Sequence, residues 1–189
     1  MTPTPPIIES IITTEAPDGT VHIAPMGVIW REGHPVLAPF RPSTTLDNLT
    51  AQPFAVINHT DDVRVFAGCL TGRRDWPTRP ADIVKGHVLA DALSHQELEV
   101  EQREDDALRP RFHCRVVHEA THAPFRGFNR AQAAVIEAAI LVSRLDMLEA
   151  AKIDREMTYL AIAVGKTAGP REQEAWEWLT ARIKEHRGG

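Results

Sequence analysis

The sequence predicts an α+β fold in which an antiparallel barrel of about six strands precedes a C-terminal helical bundle. Up to about residue 120 the chain consists mostly of β-branched or alternating runs separated by turn residues, with two short helical segments inserted. Beyond that point the apolar residues recur with the spacing of amphipathic helices. Successive hairpins, rather than alternating strands and helices, favour antiparallel pairing and a barrel over a parallel sheet.

The first predicted element is a β-hairpin. Residues 7–14 form a β-branched run and residues 21–30 form the returning strand, with Asp18 and Gly19 in the turn. An Asp-Gly pair between two such runs is a strong hairpin signal. Ala24 and Gly27 are small, so the returning strand could receive a flat ring. A glycine needed for packing or for a bulge is the alternative.

A segment rich in hydroxyl groups lies between the third predicted strand and the first short helix. A helix start exposes unpaired backbone N–H groups and the positive end of the helix dipole, so hydroxyls and an arginine gathered there suit a phosphate. Ordinary helix-starting residues are the alternative interpretation. With Thr44 as the N-cap, Asp47 would occupy the N3 position. The candidate phosphate ligands are Arg41, Ser43, Thr44 and Thr45.

A further strand, a short helix and a second hairpin complete the predicted barrel region. Pro53 restarts the chain as a strand that ends with Asn58, His59 and Thr60. Residues 97–101 and 112–117 alternate between apolar and polar side chains on either side of a charged turn, which is typical of a half-exposed antiparallel pair.

The C-terminal third is predicted to be a helical bundle. Asn129 is placed to cap a helix that is apolar nearly all round, so that helix would be central to its domain or to a subunit interface. Glu137 lies inside it and would need a partner such as Arg144. The predicted domains are residues 1–122, the barrel, and residues 123–189, the helices.

Composition argues against several classes of protein. The net charge of −5 and the lack of a basic stripe argue against a nucleic-acid partner. The longest apolar stretch, AAVIEAAILV, is too short to span a bilayer, so we expect no membrane partner. Cys69 and Cys114 are far apart and in no CxxC pattern, and no secretion signal is visible, so we expect reduced thiols in a cytoplasmic protein.

The nine histidines raise the question of a metal site. His118 and His122 have i, i+4 spacing, but the residues around them disfavour a helix, and no Glu follows His118 in an HExxH arrangement. The other histidines are scattered singly. The sequence therefore predicts no metal site.

Five motifs occur in order along the chain: APMGV, PFRPSTTLDNL, VINHTDD, FNRAQAAVIEAAILVSRL and GKT. Together they resemble a bacterial and archaeal family, number 447 among the domains of unknown function, over almost the whole chain. That family is assigned to the FMN-binding split barrels, which are related in fold to pyridoxamine-phosphate oxidases and flavin reductases. The resemblance implies a split barrel as the fold and FMN as the cofactor.

The resemblance also implies roles for individual residues. The hydroxyl segment would contact the phosphate, and the small residues of the second strand would approach the isoalloxazine. Such barrels usually dimerise with flavin at the subunit interface, so the FRGFNR segment would complete the site from either subunit, unless it is a helix cap flanked by solvated arginines. The implied cofactor-binding residues are Met26, Gly27, Val28, Arg41, Ser43, Thr44, Thr45, Asn48, Asn58, Thr60, Arg126, Asn129 and Arg130.

The resulting hypothesis is a homodimeric FMN-dependent oxidoreductase acting on a small molecule. The flavin would supply the redox chemistry, and the protein would supply position and electrostatics. No catalytic residue is identified, and His59 is the nearest acid–base candidate by position. The alternatives are a non-catalytic flavin-binding or interaction protein, and a binder of another phosphorylated ring such as deazaflavin, pterin or heme.

Overall fold

The computed structural model describes residues 4–188, whose contacts divide them into two compact units. The first unit comprises the described residues up to Thr60 together with Pro77–Pro124. The second comprises Asp61–Trp76 together with the described residues from Phe125 onward. The domain boundary between residues 122 and 123 stays a prediction, and the contact-based units differ from it by placing Asp61–Trp76 with the helices.

The first unit is built from strands and one helix. Its strands are β1 Ile7–Glu15, β2 Val21–Arg31, β3 His34–Leu37, β4 Phe54–His59, β5 Thr78–Pro80, β6 His87–Leu89, β7 Ser94–Glu104 and β8 Arg111–Thr121, and its helix is α1 Thr44–Ala51.

Within residues 4–188, six of these strands close into a barrel in the order β1-β2-β3-β8-β7-β4, and each neighbouring pair is antiparallel. Strands β5 and β6 form a separate two-stranded sheet. The predicted α+β fold with a six-stranded antiparallel barrel is confirmed.

Tight turns containing glycines with positive φ connect the first three strands and determine how they pair. Gly19 has a φ of 89° between β1 and β2, which pair from Ile7↔Ile29 to Glu15↔Val21. Glu32 and Gly33, with φ of 51° and 84°, form the two-residue loop between β2 and β3. Two consecutive residues at positive φ are what a type I′ hairpin turn requires.

The barrel encloses an apolar core, and α1 packs into that core with one face. Alternation along the strands directs every second side chain inward. The buried core side chains are Ile12, Val28, Leu37, Leu46, Leu49, Ala55, Ile57, Leu98, Phe112 and Cys114.

The second unit consists of helices. They are α2 Arg64–Leu70, α3 Arg130–Val142, α4 Ala150–Thr167 and α5 Pro170–Gly188. Helices α2, α3 and α5 share a core in which Ala67, Val135 and Leu179 are fully or almost fully buried. Among residues 4–188, no helix combines the length and the apolar character needed to cross a membrane.

The structure of helix α3 contradicts the expectation that it is apolar nearly all round and that Glu137 needs a partner. Glu137 is exposed, so α3 is not apolar all round and its acid needs no buried partner. The exposed side chains Arg130, Ala133 and Glu137 follow one another at intervals of three and four residues, and therefore form a solvent-facing stripe. Small alanines on the remaining faces made the helix look uniformly apolar in sequence.

Candidate functional site

Helix α1 begins at the hydroxyl segment, but a different residue caps it from the one expected. Ser43 Oγ accepts a hydrogen bond from the backbone N–H of Leu46 at 3.3 Å. Ser43 keeps an extended backbone, with φ −162° and ψ 151°, whereas Thr44 is already helical. The prediction of Thr44 as N-cap is therefore wrong by one residue, since only Ser43 has the extended conformation that a cap adopts.

Arg41 lies just before this helix start and is solvent-exposed. Its backbone N–H donates to the carbonyl of Leu108 at 2.9 Å, which anchors the segment. Its guanidinium lies 3.7 Å from Asp105 Oδ1, and both side chains are substantially exposed, at 43% and 76%. Such an ion pair is weak in water. The Arg41 guanidinium can therefore exchange this partner for an anionic ligand.

The other polar residues of α1 differ in whether their side chains are accessible to a ligand. Thr44 is exposed in the first turn, whereas Thr45 is buried at 3% exposure. Asn48 is also buried, and its Nδ2 donates to Thr14 Oγ1 at 3.0 Å. Asn48 therefore fastens α1 to β1 in the structure.

On β2, the predicted ring-contacting residues point to both sides of the strand. Val28 is fully buried in the barrel core and Met26 packs against that core. Gly27 pairs with Glu9 on β1, and a Cβ atom there would lie 2.7 Å from Cγ2 of Ile7 and 3.1 Å from Glu9 Oε1. Packing against β1 accounts for this glycine without a ring.

Asn58 is fully buried at the end of β4, and its amide is saturated by protein groups. Nδ2 donates to the carbonyl of Ile11 at 3.1 Å and to Thr13 Oγ1 at 3.2 Å. Oδ1 accepts from the backbone N–H of Leu89 at 2.8 Å. Asn58 thus joins β4 to β1 and β6. Thr60 follows β4 and is half-buried.

The remaining predicted residues lie in the second unit. Asn129 caps α3 as expected, with Oδ1 accepting from the N–H of Ala131 at 2.8 Å. Its Nδ2 donates to the carbonyl of Thr167 at 3.0 Å, which joins the start of α3 to the end of α4. Arg126 and Arg130 are exposed. The structure therefore gathers Arg41, Ser43, Thr44 and Thr45 at one helix start, and gives Asn48, Asn58 and Asn129 hydrogen bonds within the fold.

A cavity of about 340 Å³ lies where β4, β7 and β8 meet, and sequence reasoning missed it. His59 is half-buried there, and burial lowers its pKa although a hydrogen bond from its ring to the side chain of Gln96 acts in the opposite direction. The cavity is lined by His59, Ser94, His95, Gln96, Glu119, Ala120 and Thr121.

Next to this cavity, ionisable groups on the outer face of β7 and β8 form a cluster with one residue of the segment between β5 and β6. One nitrogen or oxygen of each member lies within 4.8 Å of the others. His95 and Glu97 are two residues apart on one strand, so their side chains point to the same face. This spacing is the sequence signal for the cluster, and it was missed because the histidines were considered one by one. The cluster comprises Asp82, His95, Glu97 and His118.

Comparisons with solved structures identify the barrel. An FMN-bound DUF447 protein from Methanosarcina mazei superposes with a TM-score of 0.83 at 18% identity, over 94% of this chain and 95% of that chain. A 2-nitrobenzoate 2-nitroreductase from Pseudomonas fluorescens gives 0.53 at 17% identity, over 64% of this chain and 66% of that one. The styrene monooxygenase flavin reductase of Pseudomonas putida S12 gives 0.51 at 16% identity, over 61% and 80% respectively. The barrel is thus of the flavin reductase-like split type.

The sequence matches no curated protein. Two family models match it in succession. The model described as "Protein of unknown function (DUF447) N-terminal domain" covers residues 8–123, and the model described as "Protein of unknown function (DUF447)" covers residues 129–181. Because the first alone spans more than half of the 189 residues, this chain belongs to the DUF447 family.

Proposed function

We propose that this protein binds FMN on its barrel unit, with the phosphate held at the start of α1. The observation that carries the proposal is the exposed Arg41 guanidinium beside a helix start that presents hydroxyl groups. The FMN-bound DUF447 structure, which shares the fold over nearly the whole chain, supports the choice of ligand.

The residues present suit a phosphate. The first-turn N–H groups of an α-helix have no intrahelical acceptor, and they carry the positive end of the helix dipole. Thr44 is exposed and can donate its hydroxyl, while Arg41 can supply charge-assisted hydrogen bonds. Ser43 Oγ already accepts from Leu46, so its proton remains available to donate to a phosphate oxygen.

We further propose that the flavoprotein is an oxidoreductase acting on a small molecule in the cytoplasm. A bound flavin supplies hydride chemistry, and the chain positions the ring and controls access of water to it. The nitroreductase and the flavin reductase with related barrels support this reaction class. A flavin-binding protein without catalysis is the alternative.

A homodimer is also part of the proposal. Large apolar side chains stay exposed on each unit, including Ile7 at 59% and Leu108 at 59% on the first, and Phe128 at 98% and Tyr159 at 74% on the second. Exposed apolar groups of this size often mark association surfaces. Light scattering at low micromolar concentration should give twice the 21.0 kDa chain mass. A mass of one chain would contradict this part.

The ligand and the reaction class can be tested on the wild-type protein. Titration with FMN and with riboflavin should show tighter binding of FMN, because riboflavin lacks the phosphate. Equal affinities would contradict a phosphate site. Anaerobic addition of reduced nicotinamide to the FMN-loaded protein should bleach the flavin band. A flavin band that persists after addition of NADH and of NADPH would favour the non-catalytic alternative.

A further inference from the structure

The cluster on the outer face of β7 and β8 is a set of potential ligands drawn from three parts of the first unit. Asp82 belongs to the segment between β5 and β6, His95 and Glu97 to β7, and His118 to β8. His118 is directly opposite Glu97 in the strand pairing. The cluster therefore joins the segment between the small sheet's strands to the barrel wall.

Three of the distances between these ligand atoms are close to those in a metal site, and all of them are within 4.8 Å. His95 Nε2 lies 3.2 Å from Glu97 Oε1 and 3.6 Å from Asp82 Oδ2. His118 Nε2 lies 3.6 Å from the same Asp82 oxygen. A tetrahedral ion with bonds of about 2.1 Å separates neighbouring ligand atoms by about 3.4 Å.

Glu97 is fixed in place by the backbone around Asp82. Oε1 accepts from the N–H of Asp82 at 2.7 Å, and Oε2 accepts from the N–H groups of Ile83 and Val84 at 2.8 Å each. A carboxylate has about four lone-pair directions. Three N–H groups occupy three of these directions. The remaining lone pair is on Oε1, the oxygen that contacts His95.

The protonation of His95 follows from its neighbours. Arg79 Nη2 lies 3.2 Å from His122 Nε2, and a guanidinium can only donate, so that nitrogen carries no proton. His95 Nδ1 lies 2.8 Å from the same nitrogen and must therefore be the donor. In a neutral His95 the proton is thus on Nδ1, and the lone pair of Nε2 faces the carboxylates.

In this arrangement the lone pair of His95 Nε2 faces carboxylate oxygens, so an acceptor meets acceptors instead of a hydrogen-bond donor. His95 and Glu97 are fully buried, so water does not screen the Nε2 lone pair from the Glu97 carboxylate. The Arg79 guanidinium lies 3.6 Å from Asp82 Oδ2 and compensates part of the negative charge on that side of the cluster. Nε2 of His95 and Glu97 Oε1 are in direct contact at 3.2 Å, so a positive charge is still needed between them. The second imidazole, His118, converges on the same point, which favours a cation with several ligands.

We propose that Asp82, His95, Glu97 and His118 form a binding site for a divalent first-row transition metal such as Zn²⁺. Two carboxylates neutralise the ion, and imidazole nitrogen with carboxylate oxygen is a donor set that such metals accept. His122 orients the His95 ring, as a hydrogen-bonding neighbour of a metal-bound histidine commonly does. The ion clamps the segment between β5 and β6 onto the barrel. This site uses none of the proposed phosphate ligands and does not rest on flavin binding.

The test uses the untagged full chain, stripped with a chelator and titrated with Zn²⁺ by calorimetry. The wild type should bind one ion per chain and melt at a higher temperature with zinc present, because a ligand that binds the folded state stabilises it. Asp82→Asn and His118→Asn should weaken binding at least tenfold. These side chains are 49% and 33% exposed, so both variants should fold without metal. His113→Asn, a half-buried histidine of β8 outside the cluster, is the matched control and should bind as the wild type does.

Two results would overturn the site. Absence of zinc uptake and of a melting shift in the wild type would show that the cluster holds no metal ion. Equal affinity of wild type and His118→Asn would place the ion elsewhere. A spectrum of the Co²⁺-loaded wild type gives an independent measurement, because four-coordinate Co²⁺ absorbs far more strongly than the hydrated ion. A spectrum like that of hydrated Co²⁺ would also count against the site.

Discussion

The side-chain oxygen of Asn58 accepts a hydrogen bond of 2.8 Å from the backbone N–H of Leu89, which ties the barrel strand β4 to the small sheet. The amide nitrogen of the same residue donates to Ile11 on β1, so one buried side chain connects three strands. Removing it would leave buried backbone groups without partners, which costs more than the bond itself contributes.

We therefore expect Asn58→Ala to lower the free energy of unfolding by about 2–4 kcal/mol, since unpaired buried polar groups cost about 1–3 kcal/mol each. Asn48→Ala is the matched comparison, because Asn48 makes a side-chain bond to Thr14. Its loss should be smaller, at about 1 kcal/mol. Urea denaturation of both variants checks the order, and equal losses would contradict the bridging role of Asn58.

His59 should make stability depend on pH. Burial lowers the pKa of the folded His59 below its ordinary value of 6.5, so the unfolded chain takes up a proton at a higher pH than the folded chain does. Stability is then fully present above pH 6.5 and is lost as the pH falls toward the lowered value.

The measurement is the unfolding free energy of wild type and His59→Gln between pH 8 and pH 5, a range of about three units around the ordinary histidine pKa. The wild type should lose stability relative to the variant as the pH falls. His34→Gln, at an exposed position, is the control. A constant difference between wild type and His59→Gln would show that burial does not perturb His59.

Asn129 should contribute to the helical unit through its cap. Replacing it by Ala removes the acceptor for the N–H of Ala131 and the bond to the carbonyl of Thr167. Loss of a cap of this type costs about 0.5–2 kcal/mol. Asn129→Asp keeps the acceptor, so it should retain more stability than Asn129→Ala in thermal melts. Identical melts for the two variants would mean that the cap contributes little.

Glu137→Ala should change the melting temperature very little. The carboxylate is exposed on the stripe of α3 that faces solvent, and surface substitutions usually stay within about 0.5 kcal/mol. A buried ion pair would instead cost about 3–5 kcal/mol when broken. A large drop in melting temperature would therefore contradict the exposed position of Glu137.

The sequence predicted the barrel because its hairpin signals are local. Asp18 and Gly19 set the first turn, and alternation of polar and apolar residues set the faces of β7 and β8. The cap of α1 was missed by one residue because Ser43 and Thr44 are both good capping types, and only the backbone conformation separates them.

The sequence did not predict which residues that are distant along the chain lie close together in space. Asp82 and His118 are far apart along the chain, and only the β7–β8 register with the segment between β5 and β6 brings them together. Likewise, nothing local shows that the amide of Asn58 is saturated by β1 and β6. The phosphate segment could be predicted because its residues are contiguous, whereas the histidine–carboxylate cluster could not.

The role of Arg41 is the most direct test of the proposed flavin site. FMN should be titrated by fluorescence quenching against wild type, Arg41→Ala and the control Arg31→Ala, which removes an exposed arginine from the end of β2. Loss of a charge-assisted bond worth about 1.5–3 kcal/mol should weaken FMN binding about tenfold to a hundredfold in Arg41→Ala and leave Arg31→Ala unchanged. Riboflavin should bind Arg41→Ala and wild type alike. Equal FMN dissociation constants for wild type and Arg41→Ala would contradict the phosphate site at the start of α1.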